Sequence, residues 1–116
     1  MNSVNLIGRI TKDPELRKTS SGISTVSFTV ACSRRFSKEQ TDFINCVAWR
    51  QDADFLASYV HKGALISIEG SIQTRNYDNQ QGQRVYITEV VCESVQLLAS
   101  KESKNYLIKE DDLEEL

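Results

Sequence analysis

Alternation of apolar and polar residues along the chain predicts a series of β-strands, each burying one face in a core. The predicted strands are residues 3–11, 23–33, 42–50, 64–77 and 84–98. Gly70, inside the fourth strand, suggests the bend that a barrel needs at a corner. The inward positions predicted to form the core are Val4, Leu6, Gly8, Ile10, Val26, Phe28, Val30, Cys32, Ile44, Cys46, Ala48, Ile66, Ile68 and Ile72.

Residues 52–62, between the third and fourth strands, change from alternation to helical spacing. Phe55 and Tyr59 are four positions apart, so their side chains would meet on one side of a helix. Asp52 is predicted to cap the start of this helix and Gly63 its end. Five strands with a short helix between the third and fourth indicate an all-β, five-stranded OB-fold, a Greek-key barrel that commonly binds oligonucleotides.

The 116 residues suffice for one domain, with 40% hydrophobic and 26% charged residues. We predict the barrel over residues 1–100 and a short, acidic, flexible tail over residues 101–116. The net charge of −2 argues at first against a nucleic-acid partner, but the tail holds much of the acid and leaves a nearly neutral body. Because the chain has no bilayer-length apolar run and no signal-peptide pattern, we expect a cytoplasmic protein without membrane contact.

Aromatic and basic side chains share the outward faces of the predicted strands and one loop. They are Phe43 and Trp49 on the third strand, Arg75 and Tyr77 on the fourth, and Arg34, Arg35 and Phe36 in the loop before the third. Aromatic rings stack on any base, and arginines bind phosphate. The rings could instead pack against the helix or a partner chain, and the loop arginines could simply be solvated. The inward faces already provide a core, which favours binding.

Sequence signatures of enzymes are missing, including the P-loop, GxGxxG and GxSxG motifs. His61 has no Ser or Cys partner in a recognisable motif, and Asp52 and Asp54 fall at a helix start, where acids are favoured. The three cysteines are Cys32, Cys46 and Cys92. They form no CxxC pair and are interpreted as buried, reduced thiols. We therefore predict no catalytic residue, no metal and no cofactor.

Three stretches carry a family resemblance: NLIGRITKDPELR, DFINCVAWR and KGALISIEGSIQTRNYDNQQGQRVYITEVV. They closely resemble the bacterial single-stranded-DNA-binding protein family, in the same order and spacing over residues 1–98. The resemblance implies an OB-fold that assembles as a homotetramer with single-stranded DNA wrapped around it. It also implies roles in DNA replication, recombination and repair, which would place the protein at the nucleoid.

The resemblance assigns functional residues as well. The stacking aromatics of the family fall on Phe36, Phe43, Trp49 and Tyr77. Among the basic residues, Lys62 and Arg75 match the family best. Arg34, Arg35, Arg50 and Arg84 are added as phosphate contacts from their charge and position.

The tail departs from the family pattern. Typical members have a long linker rich in Gly, Pro and Gln and an acidic tip that ends in Pro-Phe, whereas this chain has almost no linker and ends in EDDLEEL. The tail residues predicted to dock replication and repair proteins are Asp111, Asp112, Leu113, Glu114, Glu115 and Leu116. The departure leaves open whether the chain is a housekeeping member or a short paralogue that serves DNA uptake or a mobile element.

Two other classes of function remain open. In an OB-fold adaptor that binds proteins and not DNA, Phe43 and Trp49 would be covered by the partner chain. An OB-fold nuclease would need clustered acids and a metal ion.

Overall fold

The computed structural model describes residues 1–37 and 39–100, and most of these residues lie in β-strands. The strands are β1 (Val4–Ile10), β2 (Arg17–Lys18), β3 (Ser24–Ser33), β4 (Thr41–Trp49), β5 (Leu65–Asp78) and β6 (Arg84–Ala99), and helix α1 (Gln51–Tyr59) lies between β4 and β5. This confirms the predicted all-β order of five long strands and one helix. The short β2 escaped prediction because alternation cannot be recognised over two residues. The predicted tail, residues 101–116, lies outside the described residues.

The long strands close into a barrel because β1, at one end of the sheet, also pairs with β3 near the other end. The sheet order is β1-β5-β6-β4-β3-β2, and β1 pairs additionally with β3. The pairing with β3 is short, at Arg9 and Ile10, whereas that with β5 extends from Val4 to Arg9. A closed sheet of this size fills its interior with side chains from one face of each strand. The outward side chains are therefore left for contacts with other molecules.

The core consists of the inward residues of the strands and one side of α1. Val26, Val30, Ile66 and Ile68 are almost fully buried, and Leu56 of α1 packs among them. Partly buried residues pack around this cluster: Val4, Leu6, Cys32, Ile44, Phe55, Ala57 and Val95. Most of the predicted inward positions are thereby confirmed.

β5 changes its surroundings at Gly70. A Cβ at this position would overlap the carbonyl oxygen of Val91, so β6 passes too close for any residue larger than glycine. The pairing of β5 with β6 also shifts register between Glu69 and Gly70. Beyond this point the prediction for Ile72 is wrong: its side chain is 47% exposed, because the hairpin of β5 and β6 extends past the core. We call residues 72–89 the arm.

The start of α1 differs from the prediction. The N-cap is Arg50, while Asp52 lies within the first turn and makes no cap. Arg50 has a φ of 58°, a conformation that costs energy for a residue with a side chain. Its backbone N–H donates to the carbonyl of Ser24 over 2.8 Å. A hydrogen bond to β3 therefore holds the residue at which the helix begins. Helical spacing within the sequence carries no information about this contact with another strand.

The end of α1 also differs from the prediction, because the chain leaves the helix at Val60, three residues before Gly63. Gly63 lies in the following turn with φ of 89°, and its N–H donates to the carbonyl of Ile10 over 2.8 Å. The side chain of Arg9 in turn donates to the carbonyl of Gly63 over 2.6 Å. Hydrogen bonds to β1 thus replace a glycine cap at the helix end.

Candidate nucleic-acid interface

The outward side of β4 presents two aromatic rings to solvent. Phe43 is 67% exposed and Trp49 is 42% exposed. On the neighbouring strand, Ala31 pairs with Phe43 and Thr25 pairs with Trp49, so the flanking side chains are small. The two rings therefore keep open surface on which a flat base could stack.

A polar residue lies between these rings on the same side of β4. The hydroxyl of Thr29 donates to Oδ1 of Asn45 over 3.1 Å. With its oxygen engaged, the Asn45 amide keeps its N–H₂ group as a donor for a base carbonyl or a phosphate. Val47, the next residue on this side, is buried. The alternation of β4 placed Asn45 correctly but assigned it no function.

Arg34, which was predicted to contact phosphate, is held by hydrogen bonds to side chains at and just before the start of β4. The Nε and Nη2 of Arg34 donate to the carboxylate of Asp42 over 3.0 to 3.2 Å, and its Nη1 donates to Oε1 of Gln40 over 2.6 Å. The hydrogen bonds to Asp42 raise the pKa of Arg34 above its ordinary value. All three guanidinium nitrogens are thus engaged within the protein, so Arg34 braces the loop.

The next two residues of this loop face outward. The guanidinium of Arg35 lies 5.4 Å from the ring centre of Phe36, within the range of a cation–π contact. Phe36 is almost fully exposed. The structure therefore leaves this cation and this ring accessible, as stacking and phosphate contact would require.

The arm carries two further predicted residues on one face and one on the other. Arg75 and Tyr77 are two positions apart in β5, so alternation places them on the same face. Arg84 pairs with Asp78 in the register, which places both on the opposite face, and its Nε donates to Asp78 over 3.3 Å. The structure consequently does not bring Arg84 together with the other predicted contacts.

An open groove of about 680 Å³ joins the outward side of β4 to the arm. Its lining includes Ser27 and Thr29 from β3, Asn45 from β4, and Arg75, Ile87 and Glu89 from the arm. Phe43 and Trp49 share the side of β4 that carries Asn45, and Tyr77 shares the face of β5 that carries Arg75. Three of the four predicted stacking rings therefore lie along strand faces that form this groove.

The remaining wall of the groove is the segment that runs from the end of β1 into β2, to which no role was assigned from the sequence. It contributes Lys12 and Arg17 along with Asp13 and Glu15. Together with Arg75 and Glu89, the groove has three cationic and three anionic side chains, so its formal charge is balanced. The available signal was the pair of basic residues on either side of the Asp13-Pro14 turn.

Lys62 lies at the rim of the groove. Its backbone N–H donates to Oδ1 of Asp13 over 2.7 Å, and Asp13 lines the groove. Nδ1 of His61 lies 4.0 Å from the same oxygen. The turn after α1 is therefore attached to the segment between β1 and β2, which places the exposed Lys62 at the edge of the groove.

Arg50 is placed next to Trp49 at the start of α1. With Trp49, it borders a smaller hollow of about 440 Å³ that also includes Asp52 and Glu93. Burial raises the pKa of Asp52. Arg50 is thus close to a predicted stacking ring, but the carboxylates of Asp52 and Glu93 line the same hollow.

Two of the three cysteines, Cys46 and Cys92, agree with their interpretation as buried, reduced thiols, whereas Cys32 is less buried than predicted. Cys46 and Cys92 are buried, Cys32 is half-buried, and all three are free. A hydrogen bond with Cys46, together with burial, raises the pKa of Cys92. Among residues 1–37 and 39–100, no three His, Cys, Asp or Glu side chains come together as metal ligands. No helix in the same ranges has the length and apolar character to cross a membrane.

The predicted partner-docking residues, Asp111 to Leu116, lie outside the described part of the chain. The predicted contacts Arg34, Arg35, Phe36, Arg50, Lys62, Arg75 and Arg84 remain predictions, as do Phe43, Trp49 and Tyr77. What the structure adds is their placement: Phe43, Trp49, Tyr77 and Arg75 lie on strand faces that contribute to the groove, Arg34 is engaged by Asp42 and Gln40, and Arg84 lies on the opposite face of the arm.

Comparison with known proteins gives a family match over most of the chain. Residues 1–98 match the profile of the single-strand binding protein family. The Single-stranded DNA-binding protein of Enterococcus faecalis is 55% identical over 105 residues, which are 87% of this chain. Single-stranded DNA-binding protein 3 of Streptococcus agalactiae is 53% identical, and Single-stranded DNA-binding protein 2 of Streptococcus pyogenes is 54% identical, each over 90% of this chain.

These relatives differ in length from the present chain. The matched region covers 56% of the Enterococcus protein, 78% of the Streptococcus agalactiae protein and 66% of the Streptococcus pyogenes protein. The chain therefore spans little more than half the length of the first of these relatives.

Proposed function

Since this chain belongs to the single-strand binding protein family, we propose that it binds single-stranded DNA without regard to sequence. The observation that carries the proposal is the division of β4 into two faces. Ile44, Cys46 and Ala48 face the core, while Phe43 and Trp49 remain exposed beside the groove. Rings that the core does not need are free to stack on bases, and stacking is tolerant of sequence because every base has a π-face.

Phosphate contacts come from the basic residues around the same groove. Arg75 lines the groove and Lys62 lies at its rim, and Lys12 and Arg17 join them from the segment that runs from the end of β1 into β2. Arg35 is exposed beside Phe36 in the loop before β4. Arg34 would first have to release Asp42, and Arg84, which donates to Asp78 through Nε, lies on the face of the arm opposite Arg75. Neutralising phosphates releases counterions, so binding would weaken as salt is added.

The biological role that follows is protection of unpaired DNA during replication, recombination and repair. Stacked bases on the protein cannot pair with a second strand, and their backbone is partly covered. The role needs no bond to be made or broken, so the protein acts as a binding protein and not as an enzyme. It would act in the cytoplasm, where the nucleoid exposes single strands.

We propose a homotetramer as the working assembly, and β1 supports an interface between copies. Val4 to Gly8 pair with β5 on one edge, but the described residues make no pairs along the other edge. Ile7, on the outward face of β1, is 61% exposed. An open strand edge beside exposed apolar surface is a surface on which a second copy can pair. Closed symmetry would also lengthen the DNA track beyond one barrel.

A further proposed interaction is docking of replication and repair proteins through the acidic residues at the end of the chain. Asp111, Asp112, Glu114 and Glu115, with Leu113 and Leu116, combine negative charge with apolar side chains. Such a segment suits a basic groove with an apolar pocket. Removing residues 111–116 should abolish co-purification of partner proteins without weakening binding to oligo-dT.

Trp49 provides a direct test of DNA binding, because it is the single tryptophan of the chain. Titration with oligo-dT at low salt should quench its fluorescence, and added salt should restore it. With a labelled oligonucleotide, Trp49→Ala should weaken binding by about 1–3 kcal/mol, the contribution of one stacked base. Trp49→Tyr is the matched control, since it keeps a ring and should retain most of the affinity.

Unchanged fluorescence together with no binding at low salt would contradict the proposal. Retention of a protein partner that is lost in Trp49→Ala, without DNA affinity, would instead indicate an adaptor. Degradation of a labelled single strand in the presence of Mg²⁺ or Ca²⁺ would indicate a nuclease.

A further inference from the structure

Two arginines predicted to contact phosphate use their donors differently. Every guanidinium nitrogen of Arg34 donates to Asp42 or Gln40. Arg75 donates through Nε to Oε1 of Glu89 over 3.0 Å, and its two terminal nitrogens make no hydrogen bond to any of residues 1–37 and 39–100. A guanidinium held at Nε keeps the pair of terminal nitrogens that forms a fork for phosphate oxygens. Glu89 thus orients Arg75 while leaving the terminal nitrogens available as donors.

The partner carboxylate is held firmly in the wall of the groove. The Glu89 side chain is only 14% exposed, compared with 58% for Arg75. Glu89 lines the groove together with Ile87, Thr29 and Asn45. Because the carboxylate is the more buried partner, it is the fixed group and the arginine is the group that it orients. A free arginine side chain on an exposed strand would otherwise lose considerable rotamer freedom on binding.

The balanced charge of the groove raises the question of why an acid lies beside a phosphate-binding arginine. Glu89 is one of three acids in a groove that also has three basic residues. An acid beside a DNA track would by simple electrostatics repel phosphate and lower affinity. A nearly buried carboxylate in such a groove therefore needs an interaction that compensates for its repulsion, and the bond to Arg75 provides one.

We propose that Glu89 is a positioning residue for single-stranded DNA: it holds Arg75 at Nε so that the terminal nitrogens bind a phosphate as a fork. This inference rests on the proposed function, which it deepens by naming how one phosphate contact is preorganised. The expected effect on affinity is opposite to that of simple charge repulsion, because removing this acid should weaken DNA binding. Removing another acid of the same groove should not.

The test compares the affinities of the wild type and three variants for a fluorescein-labelled oligo-dT by anisotropy at a fixed low salt concentration. Glu89→Ala should bind about three- to tenfold more weakly than the wild type, a loss of the size expected for one charge-assisted contact. Glu89→Gln keeps an acceptor oxygen and should fall between the two. Glu15→Ala is the matched control, since Glu15 lines the same groove but is exposed and makes only a long 3.5 Å pair with Arg17. It should bind as well as the wild type or better.

The Arg75→Ala background shows whether Glu89 acts through Arg75. If it does, adding Glu89→Ala to Arg75→Ala should cause no further loss and should even strengthen binding, because only the repulsion is then removed. The slope of log K against log salt should also become shallower by about 0.7 in Glu89→Ala, as for one lost phosphate contact. An additional loss in the double variant would overturn the proposal.

A second variant keeps the test decisive if Glu89→Ala does not fold. Arg75→Lys retains the charge but has no fork and no Nε to be held, so it should lose affinity almost as Arg75→Ala does. Wild-type affinity in Arg75→Lys would overturn the proposal, as would equal or tighter binding by a folded Glu89→Ala. These failures leave the wild type binding DNA, whereas failure of the proposed function appears as a wild type that does not bind at all.

Discussion

The two halves of β5 follow the same alternation but have different surroundings. From Leu65 to Gly70 the strand crosses the barrel, and Ile66 and Ile68 are buried in the core. From Ile72 to Asp78 it forms one side of the arm, and every position is exposed, on both faces of the strand. The two halves share one backbone and one hairpin partner, β6. One strand can therefore supply stability at one end and binding surface at the other.

The hydrophobic effect explains this division. An inward residue of the barrel half leaves water completely, whereas a residue of the arm leaves it only in part. The arm is therefore held by its ladder of hydrogen bonds and by few apolar contacts. Side chains of the arm, including Arg75 and Tyr77, can therefore serve ligand binding with little effect on the free energy of unfolding.

The largest expected contrast is between two isoleucines of β5. Ile68→Ala should lower the free energy of unfolding by about 3 kcal/mol, because it leaves a cavity in the core. Ile72→Ala should lower it by less than about 1 kcal/mol, since the side chain is half exposed. Urea unfolding at one fixed protein concentration measures both. Equal losses in the two variants would show that the arm is packed as tightly as the barrel.

A smaller contrast is expected between two glycines of the same hairpin. Gly70→Ala should cost about 2 kcal/mol because its Cβ would overlap the backbone of Val91, which cannot yield easily. Gly82→Ala, at the tip of the arm, should cost about 1 kcal/mol, since the position has a φ of 78° but open space around it. Thermal unfolding gives the two values. A Gly70→Ala variant as stable as the wild type would refute the close approach of β5 to β6 at this bend.

The smallest effect on folding, and a clear effect on DNA, is expected for the two tyrosines of the arm. Tyr77 lies on the face of Arg75, while Tyr86 pairs with Asn76 on the opposite face. Tyr77→Ala should weaken oligo-dT binding by about 1.5 kcal/mol, roughly tenfold, through the loss of one stacked base. Tyr86→Ala removes a similar ring and should leave the affinity unchanged.

Both tyrosine variants should unfold within about 0.5 kcal/mol of the wild type, because both side chains are exposed. If Tyr86→Ala lost as much affinity as Tyr77→Ala, the DNA would have to contact both faces of the arm. The assignment of the groove face as the binding face would then be wrong.

The sequence was sufficient to predict the order of the five long strands, the helix between β4 and β5 and the division of β1, β3, β4 and the barrel half of β5 into an inward and an outward face. These features depend on local spacing, since successive side chains of a strand point to opposite sides. The exposure of Phe43 and Trp49 followed from the same rule. So did the burial of Ile66 and Ile68.

Other features depend on what lies above a given face, and local spacing carries no information about that. Ile72 continues the apolar pattern of β5 but lies beyond the end of the core. Arg34 and Arg75 are both arginines near aromatic residues, yet Asp42 and Gln40 engage one completely while Glu89 holds the other by a single nitrogen. Pairing of β3 with β4 brings Asp42 beside Arg34, and pairing of β5 with β6 brings Glu89 beside Arg75. Pairing between strands, and not the pattern within any one of them, therefore sets the ends of α1, the groove and the donors left free to bind DNA.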